Sequence, residues 1–358
     1  MKLSSLESLP SFALLGPGFF DGQCTLLTDL CESSSSPQLI YAPFECPGSS
    51  PKSFSCKSIQ PVTIEFDVPP PNAAVTFCDD GYVQAIERIR KAIADGDVYQ
   101  VCYTLRADIA GVTGAELMTL LCLHGLPRFL AWVRFPDGEE LVSASPELFF
   151  ETAGRKVHTE PMKGTARSDD SGELELSEKD RAELAMITDL LRNDLTPVCK
   201  PRSVKVTCER RSIELPYAVQ TVSDIEGELN DGVTPLDVLA SLHPGGSVTG
   251  APKQAALEFI RELEPTPRRA YCGALGLWRG DRSVFSLLIR TAQRTGDCWM
   301  YGVGSGVVYD SSAEVEHREW FIKLGALGIP LKNRRDLASD PRGKRDYDVV
   351  RQMPDSSP

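Results

Sequence analysis

Basic residues are in deficit in this chain. Its 358 residues carry 38 Lys and Arg against 50 Asp and Glu, a formal charge of −12. No basic stretch is interleaved with aromatics, which argues against a nucleic-acid partner. No apolar run approaches the roughly 20 residues that cross a bilayer as a helix. The opening MKLSSLESLPSFALL has no charged segment followed by a sustained apolar one, so no secretory leader is read there. Cysteine is plentiful, at 11, but no pair has Cys-x-x-Cys spacing and the count is odd. That excludes the usual zinc and redox patterns and points to reduced thiols and a cytoplasmic protein. The four histidines (124, 158, 243 and 317) fall into no nucleophile or metal spacing. No Gly-x-Ser-x-Gly elbow occurs, so a hydrolase triad has no support.

What is present is the profile of an ordinary globular protein, 42% hydrophobic and 25% charged. Residues 1–80 are broken by CESSSSP, CPGSSPKS and VPPPN, with strand-like runs such as QLIYAPF and PVTIEFDV between them. They read as a short β-rich N-terminal leader. From residue 81 the patterning becomes denser. Ile86, Ile89 and Ile93 recur at helical spacing and Gly96 follows as a stop. VYQVCYTL reads as a strand, and residues 128–150 as a hairpin turning at PDG. Two capping boxes, Ser177-x-x-Asp180 and Ser311-x-x-Glu314, predict helices to about Asp194 and Leu327. Residues 81–330 are expected to form the main catalytic unit. The polar, aperiodic stretch 331–358 reads as a mobile tail. Strands and helices follow no clean βαβ alternation, which favours an α+β fold.

Glu316, Glu319 and Lys323 share one helix face. They could hold a hard cation beside an anionic ligand, or form a solvated face with an i,i+4 ion pair. Asp180 and Glu183 are spaced similarly on the earlier helix. One acid from each would suffice for magnesium, which keeps waters and ligand oxygens in its shell. HPGGSVTGAPK (243–253) looks superficially like a phosphate loop, but Ala251 and Pro252 separate Gly250 from Lys253 and no Ser or Thr follows. An ATPase is rejected, leaving a tight glycine turn. GVGSGVVYDS lacks the following helix of a dinucleotide site. Lys163 sits in a Pro- and Gly-bounded segment 16 residues after Glu147. It could be a nucleophile near an acid or an ordinary surface lysine.

The segments GDVYQV (96–101), SASPE (143–147), PMKGTAR (161–167), KDRAELAMITDLLRNDL (179–195), HPGGSVTGAPK, YCGALG (271–276), IRT (289–291), GVGSGVV (302–308) and DSSAEVEHREWFIK (310–323) stand in one order. Together they resemble the chorismate-utilising family, from about residue 81 to 327. The resemblance implies an anthranilate synthase component I-like fold, two packed β-sheets flanked by helices, with the active site in a cleft between them. It implies Mg²⁺ held by Glu183 and Glu319, with Glu316 nearby. It further implies Thr165, Tyr271, Arg290, Lys323 and the backbone of Gly304 and Gly306 around the two carboxylates of chorismate.

Two positions separate the family's branches. Water-adding members carry a lysine base where this chain has Gln100, so ammonia is the better nucleophile here. Anthranilate synthases show alanine where this chain has Lys163, whereas PMKGT resembles the PIKGT of the lysine-type aminodeoxychorismate synthases. That branch implies covalent attack by Lys163, with Glu147 as acid and base. It also implies ammonia from solution or a separate glutamine amidotransferase subunit, since no glutaminase triad is apparent in the chain. The alternatives are an anthranilate or 2-amino-2-deoxyisochorismate synthase, and a catalytically silent chorismate-binding subunit. Gln220, where the family often has His, and Cys102, in place of a common Asn, depart from the family pattern.

Overall fold

The structure is a computed structural model describing residues 1–20, 22–45, 50–166, 178–215, 218–325 and 327–333. Six α-helices occur among them: α1 (Tyr82–Asp95), α2 (Gly114–Leu121), α3 (Glu178–Leu195), α4 (Pro235–Leu242), α5 (Lys253–Leu263) and α6 (Ala313–Gly325). The strands form one eleven-stranded and one ten-stranded sheet, an α+β architecture. Both are almost wholly antiparallel, with Leu331–Asn333 running parallel to Val75–Phe77 at one edge.

Local patterning explains much of this. Along α1, Ile86 and Ile89 are fully buried. Gly96 then ends the helix with φ 86, a left-handed conformation that a side chain would resist. The chain turns directly into the strand Gln100–Ala110, which pairs with Cys298–Val307 over its whole length, Val101 facing Val307 and Ala110 facing Cys298. Phe129–Arg134 and Glu140–Ser145 form the expected hairpin, but it ends at Ser145 and not at residue 150, because Leu148–Ala153 pairs in the other sheet. At the start of α6 the cap differs from expectation. Ser312 accepts from Val315 N, while Ser311 directs its hydroxyl to Glu316. Ser177 and Asp180, the other proposed capping pair, lie outside the described side chains.

The strand-like runs before residue 81 enter both sheets. Phe12–Leu15 pairs with Phe129–Arg134 in the larger sheet, and Gln38–Ala42 with Ala274–Arg279 in the smaller. Their inward faces join aromatic contacts, Phe12 edge-on to Trp132 at 5.0 Å and Tyr41 stacked on Phe135 at 5.0 Å.

The chain crosses between the sheets at two places that matter later. Glu140–Ser145 lies in the larger sheet and Leu148–Ala153 in the smaller, with Glu147 between them. Arg282–Leu287 lies in the smaller and Thr291–Thr295 in the larger, with Arg290 between them. A buried ion pair fixes the adjoining region. Arg268 donates to Glu264, to Val248 O at 2.6 Å and to Cys102 O at 2.7 Å, and its guanidinium lies 4.3 Å from the Phe44 ring centre. Their side chains are 1% and 4% exposed. Truncating either partner strands a charge in the interior, so we predict that Glu264→Ala lowers unfolding free energy by about 3–5 kcal/mol in chemical denaturation. A loss below about 1 kcal/mol would show that water reaches the orphaned arginine.

Candidate active site

Glu147 is the most perturbed acid of the candidate set. Burial pushes its carboxyl up to about 7; the Ser247 hydrogen bond and the charge of Lys163 pull it down, and Glu160 pushes it further up. Its backbone is fixed by the crossover itself. Glu147 N donates to Ser145 Oγ at 3.2 Å, Ser145 Oγ donates to Leu287 O at 2.6 Å, and Glu147 O accepts from Leu287 N at 3.2 Å. A carboxyl near half protonation at neutral pH can both give and take a proton.

Lys163 stands on the strand Met162–Ala166, at one end of the smaller sheet's pairing order. Its Nζ lies 3.4 Å from Glu183 Oε2 on α3, with the two side chains 19% and 14% exposed. This contact joins the proposed nucleophile to a proposed metal ligand. Thr165 pairs through its backbone with Gln220, and its side chain lies outside the description.

The third group comes from α6 and the strand Cys298–Val307. Lys323 Nζ donates to Gly304 O at 3.0 Å and pairs with Glu319 Oε1 at 2.6 Å. Glu316 is 1% exposed; its Oε1 accepts from Ser311 at 2.6 Å, and its buried Oε2 has no partner among the described residues. A buried carboxylate oxygen without a donor suits a cation. Both Glu316 and Glu319 act on Tyr82, whose hydroxyl burial pushes well up and the two acids push further. Burial pushes the Cys102 thiol up, while the charges of Arg268, Lys163 and Lys323 pull it down.

Gln100 is fully buried, and neither of its amide atoms has a partner among the described residues. A Cβ at Gly306 would fall 2.5 Å from Gln100 Nε2, so the bare glycine leaves room for the Gln100 amide there. Likewise a Cβ at Gly302 would strike the Tyr271 ring at 2.2 Å. Tyr271 therefore packs against the backbone of the glycine strand that also carries Gly304. Arg290 is placed by its backbone, with φ 50 and its carbonyl accepting from Ala144 N at 3.0 Å.

A separate cluster had no signal in the sequence beyond alternating strands. Ligand atoms of His158, Glu160 and Asp224 lie within 4.8 Å of one another. Guanidiniums occupy that space instead. Arg211 Nε reaches Asp224 at 2.6 Å and its Nη2 reaches Glu160, while Arg128 reaches Glu160 at 2.5 Å. Burial lowers His158, but hydrogen bonds to Glu151 and Asp224 outweigh it and hold the imidazole above its usual range. The arrangement is an ion-pair network, and the donor set with an unmet buried oxygen is the one on α6. Ser247 and the Lys253–Asp194 pair also escaped the sequence reading, because each contact joins segments far apart in the chain.

A family model described as chorismate binding enzyme matches residues 28–327. Anthranilate synthase component 1 1 of Haloarcula marismortui is 38% identical over 276 residues, covering 73% of this chain and 56% of its own length. Aminodeoxychorismate synthase component 1 of Bacillus subtilis is 36% identical over 270 residues, covering 72% and 57%. The chain thus spans about half the length of these curated relatives. Among solved structures, the putative 2,3-dihydroxybenzoate-specific isochorismate synthase of Bacillus anthracis superposes with TM-score 0.74 at 21% identity, over 90% of this chain and 97% of that one. The menaquinone-specific isochorismate synthase of Escherichia coli gives 0.74 at 19% identity, over 91% and 90%. These two likenesses establish the fold; the family match and the sequence relatives show that the chain belongs to the chorismate binding enzymes.

Proposed function

We propose that this chain converts chorismate and ammonia to 4-amino-4-deoxychorismate, as the synthase component of a two-subunit enzyme. The observation that carries the reading is Lys163 itself, part-buried on its strand, 3.4 Å from Glu183 and within the field of Glu147. Relatives of both the aminodeoxychorismate and anthranilate types stand at similar identity. The lysine and the uncharged Gln100 favour the former.

In this reading Arg290, Tyr271, Lys323, Thr165 and the glycine strand bind the substrate's two carboxylates. That gives an acidic chain a local set of cations for a dianion. Glu183, Glu319 and Glu316 would hold Mg²⁺, which would neutralise the ring carboxylate. Neutral Lys163 attacks C2, the double bonds shift, and the C4–O bond breaks. Glu147 gives its proton to the departing hydroxyl, which leaves as water, and takes one from the alkylated lysine nitrogen. Ammonia then bonds to C4 and the double bonds shift back. Glu147 returns its proton to the lysine nitrogen as the C2–N bond breaks, and accepts one from the new ammonium group. Gln100 has no basic site with which to activate water, which supports ammonia as the nucleophile.

The reading is tested by incubating the purified chain with chorismate, Mg²⁺ and either ammonium or glutamine, with and without an aminodeoxychorismate lyase. Product that becomes 4-aminobenzoate only when lyase is added, from ammonium alone, is the expected result. An added cognate amidotransferase should restore glutamine use. Fluorescent anthranilate from the unmodified chain would assign it to the other branch, and robust glutamine use without a partner would overturn the nitrogen supply.

A further inference from the structure

The loop 243–253 has no part in the chemistry above, yet the fold anchors it from several sides. His243 Nε2 meets Pro43 O at 2.9 Å, and Val248 O accepts from the buried Arg268 at 2.6 Å. Thr249 O accepts from Cys102 N at 2.7 Å, and Gly250 and Ala251 pair with Val101 and Gln100. Lys253 Nζ closes the loop, reaching Asp194 at 2.5 Å on α3 and Leu242 O at 3.1 Å. Between these ties, Ser247 Oγ donates to Glu147 Oε1 at 3.1 Å.

We propose that Ser247 is a positioning residue, whose hydroxyl aims the Glu147 carboxyl at the leaving group. The inference rests on the reading that Glu147 is the acid. The backbone of Glu147 is held by Ser145 and Leu287, but those contacts leave the side-chain torsions open. One hydrogen bond from a loop anchored at both ends removes that freedom, and misplacing a proton donor by about 1 Å can cost about a hundredfold in rate. The charged groups that act on Glu147 are Lys163, from the strand Met162–Ala166, and Glu160, from the turn before it. Neither is altered by a change at Ser247.

The experiment compares Ser247→Ala, Ser247→Thr and Glu147→Gln with the parent chain. The assay uses chorismate, Mg²⁺ and saturating ammonium across pH 6–9, expressed as ratios to the parent so that ammonium titration cancels. The acid must be protonated, so parent activity per free enzyme should fall as pH rises through about 7. The serine hydroxyl favours the ionised carboxyl. Removing it should therefore move that limb upward, on the order of one pH unit. Ser247→Ala should also lower kcat by about 10–100-fold with KM for chorismate within about twofold, and Ser247→Thr should restore both. Should the alanine variant fail to fold, Ser247→Cys, a weaker donor of similar shape, should shift the limb in the same direction by less. An unmoved limb in a folded variant, or a threonine variant as impaired as alanine, overturns the role of Ser247 while an inactive Glu147→Gln leaves the acid assignment standing. An active Glu147→Gln overturns the acid assignment itself.

Discussion

Lys163→Ala is expected to reduce aminodeoxychorismate formation by about 10³-fold or more, while chorismate binding changes by only a few fold. The lost amine acts in the bond-making step. Of the groups proposed to hold the substrate, Arg290, Tyr271 and Lys323 lie on other elements, and only Thr165 shares the lysine's strand. The structure adds a second expectation. Lys163 Nζ sits 3.4 Å from Glu183 Oε2, so its removal frees that carboxylate from a competing partner and should hold or strengthen Mg²⁺ affinity. A purely structural lysine would not produce that split between turnover and metal binding. Lys163→Arg sharpens the test, since a guanidinium keeps the charge but is a very poor nucleophile. It should be nearly as inactive as alanine. The alanine variant reads PMAGT there, and a trace of anthranilate-type product from it would fit the other branch of the family.

Glu183→Gln and Glu319→Gln should each cost about 10³-fold in turnover at low millimolar Mg²⁺, because each removes a negative ligand from the proposed Mg²⁺ site. The effect should be partly recovered by raising Mg²⁺, and calorimetric titration should show weaker binding of the ion in the absence of substrate. Glu316 carries a related expectation. Its buried Oε2 has no donor among the described residues, so Glu316→Gln should weaken Mg²⁺ binding without unfolding α6, where Trp320 and Leu324 are fully buried. Near-normal activity of either glutamine variant at low Mg²⁺ would contradict the metal assignment.

Much of this was legible from local pattern. The isoleucine spacing and Gly96 place α1, and the hairpin turning at PDG is where its turn residues put it. Both follow from short-range chemistry. The two-sheet architecture was read from resemblance, since strand order depends on contacts that no window of residues contains. The strands before residue 81 illustrate the point. Phe12–Leu15 and Gln38–Ala42 each pair with a nearby strand, but the partner that joins each to the rest of its sheet lies over one hundred residues away, so nothing local marks which sheet they enter. Ser311 misled the capping assignment because its hydroxyl serves the buried Glu316, a tertiary demand that outweighed the local motif. Ser247 was hidden for the same reason. In sequence it is one residue in a glycine turn, and only folding brings it to Glu147. The network around Arg211 likewise joins two strands and the link at Glu160, and is invisible as spacing.

The central claim is that Lys163 bonds covalently to chorismate, and mass spectrometry tests it most directly. The purified chain is held with chorismate and Mg²⁺ in the rigorous absence of ammonia, quenched, digested, and searched for the peptide spanning residues 161–167. The account predicts a mass gain of chorismate less one water on that peptide, localised to Lys163, lost in Lys163→Ala, and discharged on adding ammonium as aminodeoxychorismate forms. An unmodified peptide from enzyme that turns over once ammonium is supplied, together with an active Lys163→Arg variant, would contradict it.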